Sequence, residues 1–404
     1  MSNTMEYNEI VNDIGVDEQK TDYQICSRCI MDSMVPRITF DQNGVCNFCK
    51  LQDSMSETFP NDERGDKILA ASIEKIKQQG KKGAHDCIIG ISGGRDSSYL
   101  LYLAKEVWGL RPLAVHFNDG FGNPVAGQNM LNVTNSLNVE LQTITSDWRE
   151  SKDIRIAFLK SSALNFGMST DIGFTSALYG VAHKENIKHI LTGNSFRTEG
   201  IVPLYWSYFD GYYLKKIHEK FGSTELRSWK PDDPGFNLDL HHLVYYSIFK
   251  GIRIFTPLYY HTYVRSTADE IISNQLGWTD PGAHYYDDLY QSLLFYLERV
   301  KYKMDRRKPN YSALVRSAQM SRDEALERIK KPYQIEDPKV INLCIKRLGL
   351  SKEEFSKYID QPPKYFTEFP NRYKLLLMAK PAIKMLSLFN IIPKVSYDKY
   401  FNCG

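Results

Sequence analysis

The run Asp86-Cys87-Ile88-Ile89-Gly90-Ile91-Ser92-Gly93-Gly94-Arg95-Asp96-Ser97-Ser98-Tyr99 decides how the rest of the chain is read. Cys87 to Ile91 is short, apolar and rich in β-branched residues, the pattern of a buried strand in a parallel sheet. Ser92, Gly93 and Gly94 then form a tight turn. Asp96, Ser97 and Ser98 are helix-capping types ahead of the helical run Ser98 to Lys105. Strand, glycine turn and helix N-terminus together make an anion cradle, because the first amides of a helix lack intrahelical partners and the dipole adds about half a positive charge there.

Spacing separates this loop from two common phosphate loops, since neither G-x-x-x-x-G-K-[ST] nor G-x-G-x-x-G occurs at the turn. The pattern S-G-G-x-D-S resembles the pyrophosphate loop of the N-type ATP pyrophosphatases, or PP-loop enzymes. That resemblance implies cleavage of ATP between its α and β phosphates, with pyrophosphate held on the loop and an adenylated substrate left behind.

Composition sets limits around this core. A chain of 404 residues has room for two domains or for one large domain with appendages. With 42% hydrophobic and 25% charged residues it reads as an ordinary soluble globular protein. The net charge of +3 and the lack of a sustained basic stripe argue against a nucleic-acid partner, although Lys81-Lys82 and Lys301 to Lys308 are local basic patches. No run of about 18 apolar residues predicts a membrane span. The start, Met1-Ser2-Asn3-Thr4-Met5-Glu6, lacks signal-peptide architecture, so a cytoplasmic location is expected.

Four of the seven cysteines lie in one window, as Cys26-Ser27-Arg28-Cys29 and Cys46-Asn47-Phe48-Cys49 with sixteen residues between the pairs. Two C-x-x-C knuckles at this separation match a structural Zn²⁺ ribbon with a closed, non-catalytic site; a redox dithiol pair is the other reading. The turn Asp41-Gln42-Asn43-Gly44 precedes the second knuckle. The expected organisation is a flexible tail over residues 1–22, the ribbon over 23–60, an ATP pyrophosphatase domain over 61–280, and a helical C-terminal region over 281–404 that forms an acceptor or partner surface.

Lys67 to Lys77 has the apolar spacing of an amphipathic helix, Leu113 to Phe117 reads as the next strand, and Asn118 to Asn123 is a turn at its carboxyl end. Gln128 to Leu137 reads as a helix and Val139 to Ile144 as a strand. Helices from Asp153 to Lys160 and from Ile172 to Glu185 follow, then the strand His189 to Thr192. The alternation predicts an α/β fold with a doubly wound, mostly parallel sheet. Asn118 is placed at a strand end, where such sheets bind ligands. The loop Thr192-Gly193-Asn194 occupies the place of the second nucleotide-binding loop of the pyrophosphatases. Arg197 offers a cation for phosphate, and Glu199 a carboxylate for metal or ammonium.

The order of four-cysteine ribbon, Ser92 to Ser98 loop, Thr192 to Gly200, Gly277-Trp278-Thr279-Asp280-Pro281-Gly282-Ala283-His284 and Met304-Asp305-Arg306-Arg307 is similar to the N-acetyl sugar amidotransferases of surface-polysaccharide biosynthesis, including lipopolysaccharide O-antigen. The resemblance implies that a sugar acetamido oxygen attacks the α-phosphorus of ATP, that ammonia displaces AMP, and that an acetamidino group remains. It assigns the amides of Gly93, Gly94 and Arg95 and the hydroxyls of Ser92 and Ser97 to pyrophosphate, with Ser98 beside them. Asp96 either supports Mg²⁺ or caps the helix. The acceptor is an acetamido sugar, free or nucleotide-linked, with His284 as a hydrogen-bonding group and Arg306 and Arg307 for a sugar diphosphate unless solvated. Ammonia would come from partners resembling the glutaminase and cyclase subunits of imidazole glycerol phosphate synthase.

The aromatic stretch 203–300 reads either as core packing or as a sugar-stacking pocket. Two further functions compete: a PP-loop tRNA-thiolating enzyme, which lacks a spare C-x-x-C here, and a non-catalytic zinc-ribbon binding module with a degenerate loop.

Overall fold

The computed structural model describes residues 23–229, 236–282, 286–389, 391–392 and 394–401. The tail assigned to residues 1–22 lies outside them, as does His284.

Five parallel strands form one sheet in the order β3-β2-β1-β4-β5, with β1 (Cys87–Gly90) at its centre. On one side lie β2 (Pro112–Asn118) and then β3 (Leu141–Thr145); on the other lie β4 (His189–Leu191) and β5 (Arg253–Phe255). Ile88 sits opposite both Leu113 and Ile190, which fixes β1 between its neighbours.

Every residue of β1 is buried, because helices cover both faces of the sheet. Ile88, Leu113, Val115 and Phe117 point into a core shared with α5 (Trp148–Ser161) and α6 (Met168–Lys184). Cys87, Ile89, Ala114 and Leu191 point the other way, onto α2 (Glu63–Gly80), α3 (Arg95–Tyr102), α4 (Pro124–Ser136) and α8 (Arg265–Leu276). The expected doubly wound fold is therefore the one observed. The chain leaves β1 toward β2 on one side and returns to β4 on the other, so the order reverses at the carboxyl end of β1. That reversal is where open α/β sheets hold ligands.

Several boundaries differ from the sequence reading. Helix α4 starts at Pro124, where the Asn123 side chain accepts from the Val125 amide at 3.0 Å and proline stands in the first turn. Only three residues long and half-buried at the sheet edge, β5 carries too little pattern to be anticipated.

The cysteine segment and α1 (Asn47–Thr58) pack against Phe196, Ile201, Trp206, Tyr259 and Met304. Beyond residue 281 the chain is helical: α9 (Tyr290–Tyr302) and α10 (Arg307–Arg316) precede the helices Pro338–Arg347 and Lys352–Asp360. Ile341, Cys344, Leu348, Phe355 and Phe366 join the same core as the sheet. Most described aromatics of this stretch lie in the core or pack partly buried against it: Tyr208, Tyr213, Tyr259 and Tyr290 are buried, and Tyr208 stacks on Phe366 at 4.0 Å. No described helix is long and apolar enough to cross a membrane.

Candidate active site

The glycine loop closes on itself through serines. The Ser92 amide donates to Ser97 Oγ at 3.3 Å, the Gly94 amide donates to Ser92 Oγ at 3.3 Å, and the Ser97 hydroxyl donates to the Gly94 carbonyl at 3.2 Å. Gly93 has φ +82°, and a Cβ there would lie 2.0 Å from the Ala126 carbonyl oxygen, so only glycine fits. Its carbonyl is pinned from behind by Trp278 Nε1 at 3.0 Å and Asn129 Nδ2 at 3.1 Å. Thr279 holds Asn129 in turn, its amide donating to Asn129 Oδ1 at 2.9 Å. The Gly277 to Gly282 segment therefore buttresses the loop.

Gly94 precedes α3 and provides no side-chain cap. The first-turn amides of α3 thus face the cavity with the positive end of the dipole behind them. Asp96 lies within that turn and accepts from the Tyr263 hydroxyl instead of capping the helix, which removes the capping alternative. The second loop lies against the first: a Cβ on Gly193 would stand 2.9 Å from the Asp96 carbonyl oxygen.

A cavity of about 300 Å³ opens at the carboxyl ends of β1, β2 and β4. Ser92, Gly94, Arg95, Asp96, Ser97, Asn118, Gly193, Asn194 and Glu199 all line it. Other expected residues fall elsewhere. Gly93 is outside the lining, and the Ser98 hydroxyl is buried in the protein without a hydrogen-bond partner. Arg197 does not face phosphate: its guanidinium donates to the Tyr259 and Phe59 carbonyls, each at 2.7 Å, and lies 4.5 Å from the Phe196 ring centre. It clamps the loop after β4 to the end of the ribbon, and burial lowers its pKa to about 10. Arg307 is likewise spent, paired with Asp305 at 2.7 Å and bonded to the Lys331 carbonyl. Arg306 lies at a second cavity, held by both oxygens of Glu298 at 2.8 Å.

Seven carboxylates line the first cavity: Asp96, Asp119, Asp171, Glu199, Asp280, Asp287 and Asp288. Arg95 is the one lysine or arginine among the described lining residues, and Asp269 of α8 holds its guanidinium. Burial and the nearby Asp96 charge raise the pKa of Glu199 to about 8, against the opposing bonds from Asn194 Nδ2 and the Ser195 amide, each at 3.3 Å. Burial raises Asp287, countered in part by a bond from Ser92, and raises Asp288 well above the usual carboxylate range, with the Asp119 charge adding to it. Burial also lowers the pKa of His116, whose Nδ1 lies 3.1 Å from the Ile91 carbonyl. Asp119 is paired with the buried Arg155 and accepts from the Thr170 hydroxyl at 2.6 Å.

Asp287 and Asp288 were missed as site residues because they reach the cavity from beyond residue 281. The contact that brings them in is tertiary: the Asn123 amide donates to the Asp287 carbonyl at 3.0 Å, and Asn123 Nδ2 to the Tyr286 carbonyl at 2.7 Å. His116 and Asp119 had a usable signal, since both sit at the end of a strand that was read correctly.

The four ribbon cysteines are fully buried, and their sulfurs all lie within 4.8 Å of one another. Three of the separations are 3.6, 3.7 and 3.8 Å. A tetrahedral ion with sulfur ligands at about 2.3 Å requires sulfurs about 3.8 Å apart, so the set fits one mononuclear metal ion. Three backbone amides point at Cys26 Sγ, from Arg28 and Cys29 at 3.4 Å and from Cys46 at 3.3 Å. Arg316 of α10 donates to Cys49 Sγ at 3.3 Å and to Cys29 Sγ at 3.5 Å, so the C-terminal region neutralises thiolate charge.

The C-terminal region has a described counterpart. Residues 284–381 match the C-terminal domain of proteins described as "LPS biosynthesis protein WbpG-like". An uncharacterized protein of Methanocaldococcus jannaschii, MJ1599, is 31% identical over 126 residues, 31% of this chain and 44% of that protein. The chain therefore spans less than half the length of that curated relative. Among solved structures, NMN synthetase from Francisella tularensis aligns over 72% of this chain and 96% of its own at 16% identity, with a TM-score of 0.36. The NH3-dependent NAD synthetase from Campylobacter jejuni aligns over 74% and 98% at 15% identity, TM-score 0.31. The U34-tRNA thiolase NcsA from Methanococcus maripaludis, with its [4Fe-4S] cluster, aligns over 77% and 88% at 12% identity, TM-score 0.29.

Proposed function

We propose that the chain is an ATP-dependent amidotransferase of the PP-loop type. It adenylates the acetamido oxygen of an N-acetylated sugar and replaces that oxygen with ammonia, in the synthesis of lipopolysaccharide or a related surface glycan. The observation that carries this reading is the S-G-G-x-D-S turn at the sheet's reversal point, where the bare first turn of α3 faces a carboxylate-lined cavity. The match of residues 284–381 supports the glycan context.

In this reading the amides of Arg95, Asp96 and Ser97 hold the β and γ phosphates, and Ser92 and Ser97 keep the loop in shape, Ser92 Oγ accepting from the Gly94 amide. Among the described lining residues acidic groups outnumber the one arginine, Arg95, which is itself paired; in this reading ATP enters with a divalent cation, under whose field the raised carboxyls would ionise. Asp96, Asp287 and Asp288 offer the oxygen donors that suit Mg²⁺, whose contribution would be to neutralise the phosphates. Once the acetamido oxygen bonds to the α-phosphorus and pyrophosphate departs, the carbon is open to ammonia. Carbon–oxygen cleavage then sends the former amide oxygen away in AMP. Glu199, in its ionised form, is the group placed to take a proton from the incoming nitrogen. Cys26, Cys29, Cys46 and Cys49 would hold Zn²⁺ as a structural ion, tying the ribbon to α10 through Arg316. Ammonia delivery by glutaminase and cyclase-type subunits belongs to the same proposal.

The test incubates purified protein with ATP, Mg²⁺ and ammonium chloride, and measures AMP and pyrophosphate with a panel of free and UDP-linked acetamido sugars or unmodified tRNA. Release that depends on a sugar, with a product about one mass unit lighter, supports the proposal. Release only with tRNA transfers the protein to the tRNA-modifying class.

A further inference from the structure

Beside the nucleotide cavity lies a second one, of about 240 Å³. The two share Asp171, Glu199 and Gln291 in their walls, so a molecule seated in the second can present one end to the first. Its lining also includes Trp206 and Phe209, which offer aromatic surface of the kind that packs on a sugar ring.

Asn165 lines this cavity, is only 7% exposed, and has a side-chain oxygen with no hydrogen-bond partner. A buried amide oxygen left unsatisfied is costly, and native structures rarely keep one without a use. A ligand N–H or O–H would satisfy it. Charge narrows the ligand further. Among the described residues that line it, the one lysine or arginine is Arg306, which grips both oxygens of Glu298 at 2.8 Å and reaches the Trp206 carbonyl at 3.1 Å. Glu298 therefore supplies its counter-charge, and the mouth shared with the nucleotide cavity is lined by the carboxyl groups of Asp171 and Glu199, which offer a phosphate no cation. Among the described residues of this wall, none offers an unpaired guanidinium or ammonium for a diphosphate.

We propose that the second cavity is the acceptor subsite: it takes the acetamido-bearing sugar ring, with Asn165 receiving a hydrogen bond from the ring and Trp206 packing on it, while any nucleotide diphosphate attached to the sugar stays outside. The acetamido oxygen then faces the nucleotide cavity through the mouth formed by Asp171 and Glu199. This rests on the amidotransferase reading and replaces the expectation that Arg306 and Arg307 bind a sugar diphosphate.

Saturation-transfer NMR on the full chain tests it, with Mg²⁺ and a non-hydrolysable ATP analogue present and with N-acetylglucosamine, N-acetylgalactosamine and their UDP conjugates as probes. The expected pattern is strong saturation of the acetamido methyl and ring protons of at least one sugar, and weak saturation of its uridine. Asn165→Leu and Trp206→Leu should each weaken that sugar's binding at least tenfold and leave binding of a fluorescent ATP analogue within twofold, which also shows that the variants are folded. Dominant uridine saturation, no sugar binding by a wild-type protein that binds the ATP analogue, or full sugar binding by both variants would overturn the assignment. The AMP assay keeps the two claims apart. Sugar binding in this cavity without AMP release refutes the amidotransferase reading alone, and sugar-dependent AMP release undiminished in both variants refutes the subsite alone.

Discussion

Replacing Glu199 by glutamine should make the protein more stable, and increasingly so as pH rises. In the folded chain, burial and the Asp96 charge raise the Glu199 pKa from 4.5 to about 8. Between those values the native carboxyl keeps a proton that the unfolded chain has released. Stability attributable to this group is therefore full below about pH 4.5 and is lost progressively up to about pH 8. The shift corresponds to a ceiling of ~5 kcal/mol at 1.36 kcal/mol per unit. Solvent reaches the half-buried side chain, and screening brings the expected effect down to ~2 kcal/mol. Glutamine cannot ionise and keeps one of the two acceptor positions, since Asn194 Nδ2 bonds Oε2 and the Ser195 amide bonds Oε1; the bond lost is part of why the expected gain is set well below the ceiling. Thermal melts of both proteins from pH 5 to pH 8.5 read the difference. The variant should match the wild type near pH 5 and melt ~2–3 °C higher by pH 8, and Mg²⁺ with an ATP analogue should shrink the gap by neutralising the cavity. A variant that melts with or below the wild type across the whole range would show that the Glu199 charge is compensated, and the acidic-cavity argument would fail.

Gly93→Ala places a Cβ 2.0 Å from the Ala126 carbonyl oxygen at φ +82°. The left-handed backbone alone costs about 1–2 kcal/mol, and the loop must also move; equilibrium dialysis should show ATP binding reduced more than tenfold with the circular dichroism spectrum retained. Arg316→Met removes both donors to Cys29 and Cys49, so competition with a coloured chelator should show Zn²⁺ affinity lower by roughly 10–100-fold. Arg155→Met strands the Asp119 charge, since both partners are buried, at 1% and 6% side-chain exposure. Urea unfolding should register a loss of about 3–5 kcal/mol, and adding Asp119→Asn should recover part of it.

What could be read from the sequence was local chemistry on a short span of chain. The Cys87 to Ser98 run carries its own strand, turn and helix signals, and the two C-x-x-C pairs carry their own spacing, so both were legible. Residues whose role depends on a partner far along the chain were not. Arg197 looked like a phosphate ligand because it follows the second loop, yet Phe59 and Tyr259, which claim its guanidinium, are invisible until the ribbon docks. Arg306 and Arg307 looked like an anion site; their carboxylate partners Glu298 and Asp305 are close in sequence, but the Trp206 and Lys331 carbonyls that also take them lie 100 and 24 residues away. Asp287 and Asp288 enter the cavity through the Asn123 contacts, a separation of more than 160 residues that no periodicity encodes. The same holds for Trp278, whose indole reaches the Gly93 carbonyl across 185 positions.

The central claim is that the acetamido oxygen of a sugar becomes bonded to the α-phosphorus of ATP. Once an accepted sugar is known, it is prepared with ¹⁸O in its acetamido carbonyl and turned over with ATP, Mg²⁺ and ammonium chloride, and the AMP is analysed by mass spectrometry. The account predicts one ¹⁸O atom in the AMP phosphate for each acetamidino sugar formed, with unlabelled pyrophosphate. AMP free of ¹⁸O, alongside product formation, would contradict it.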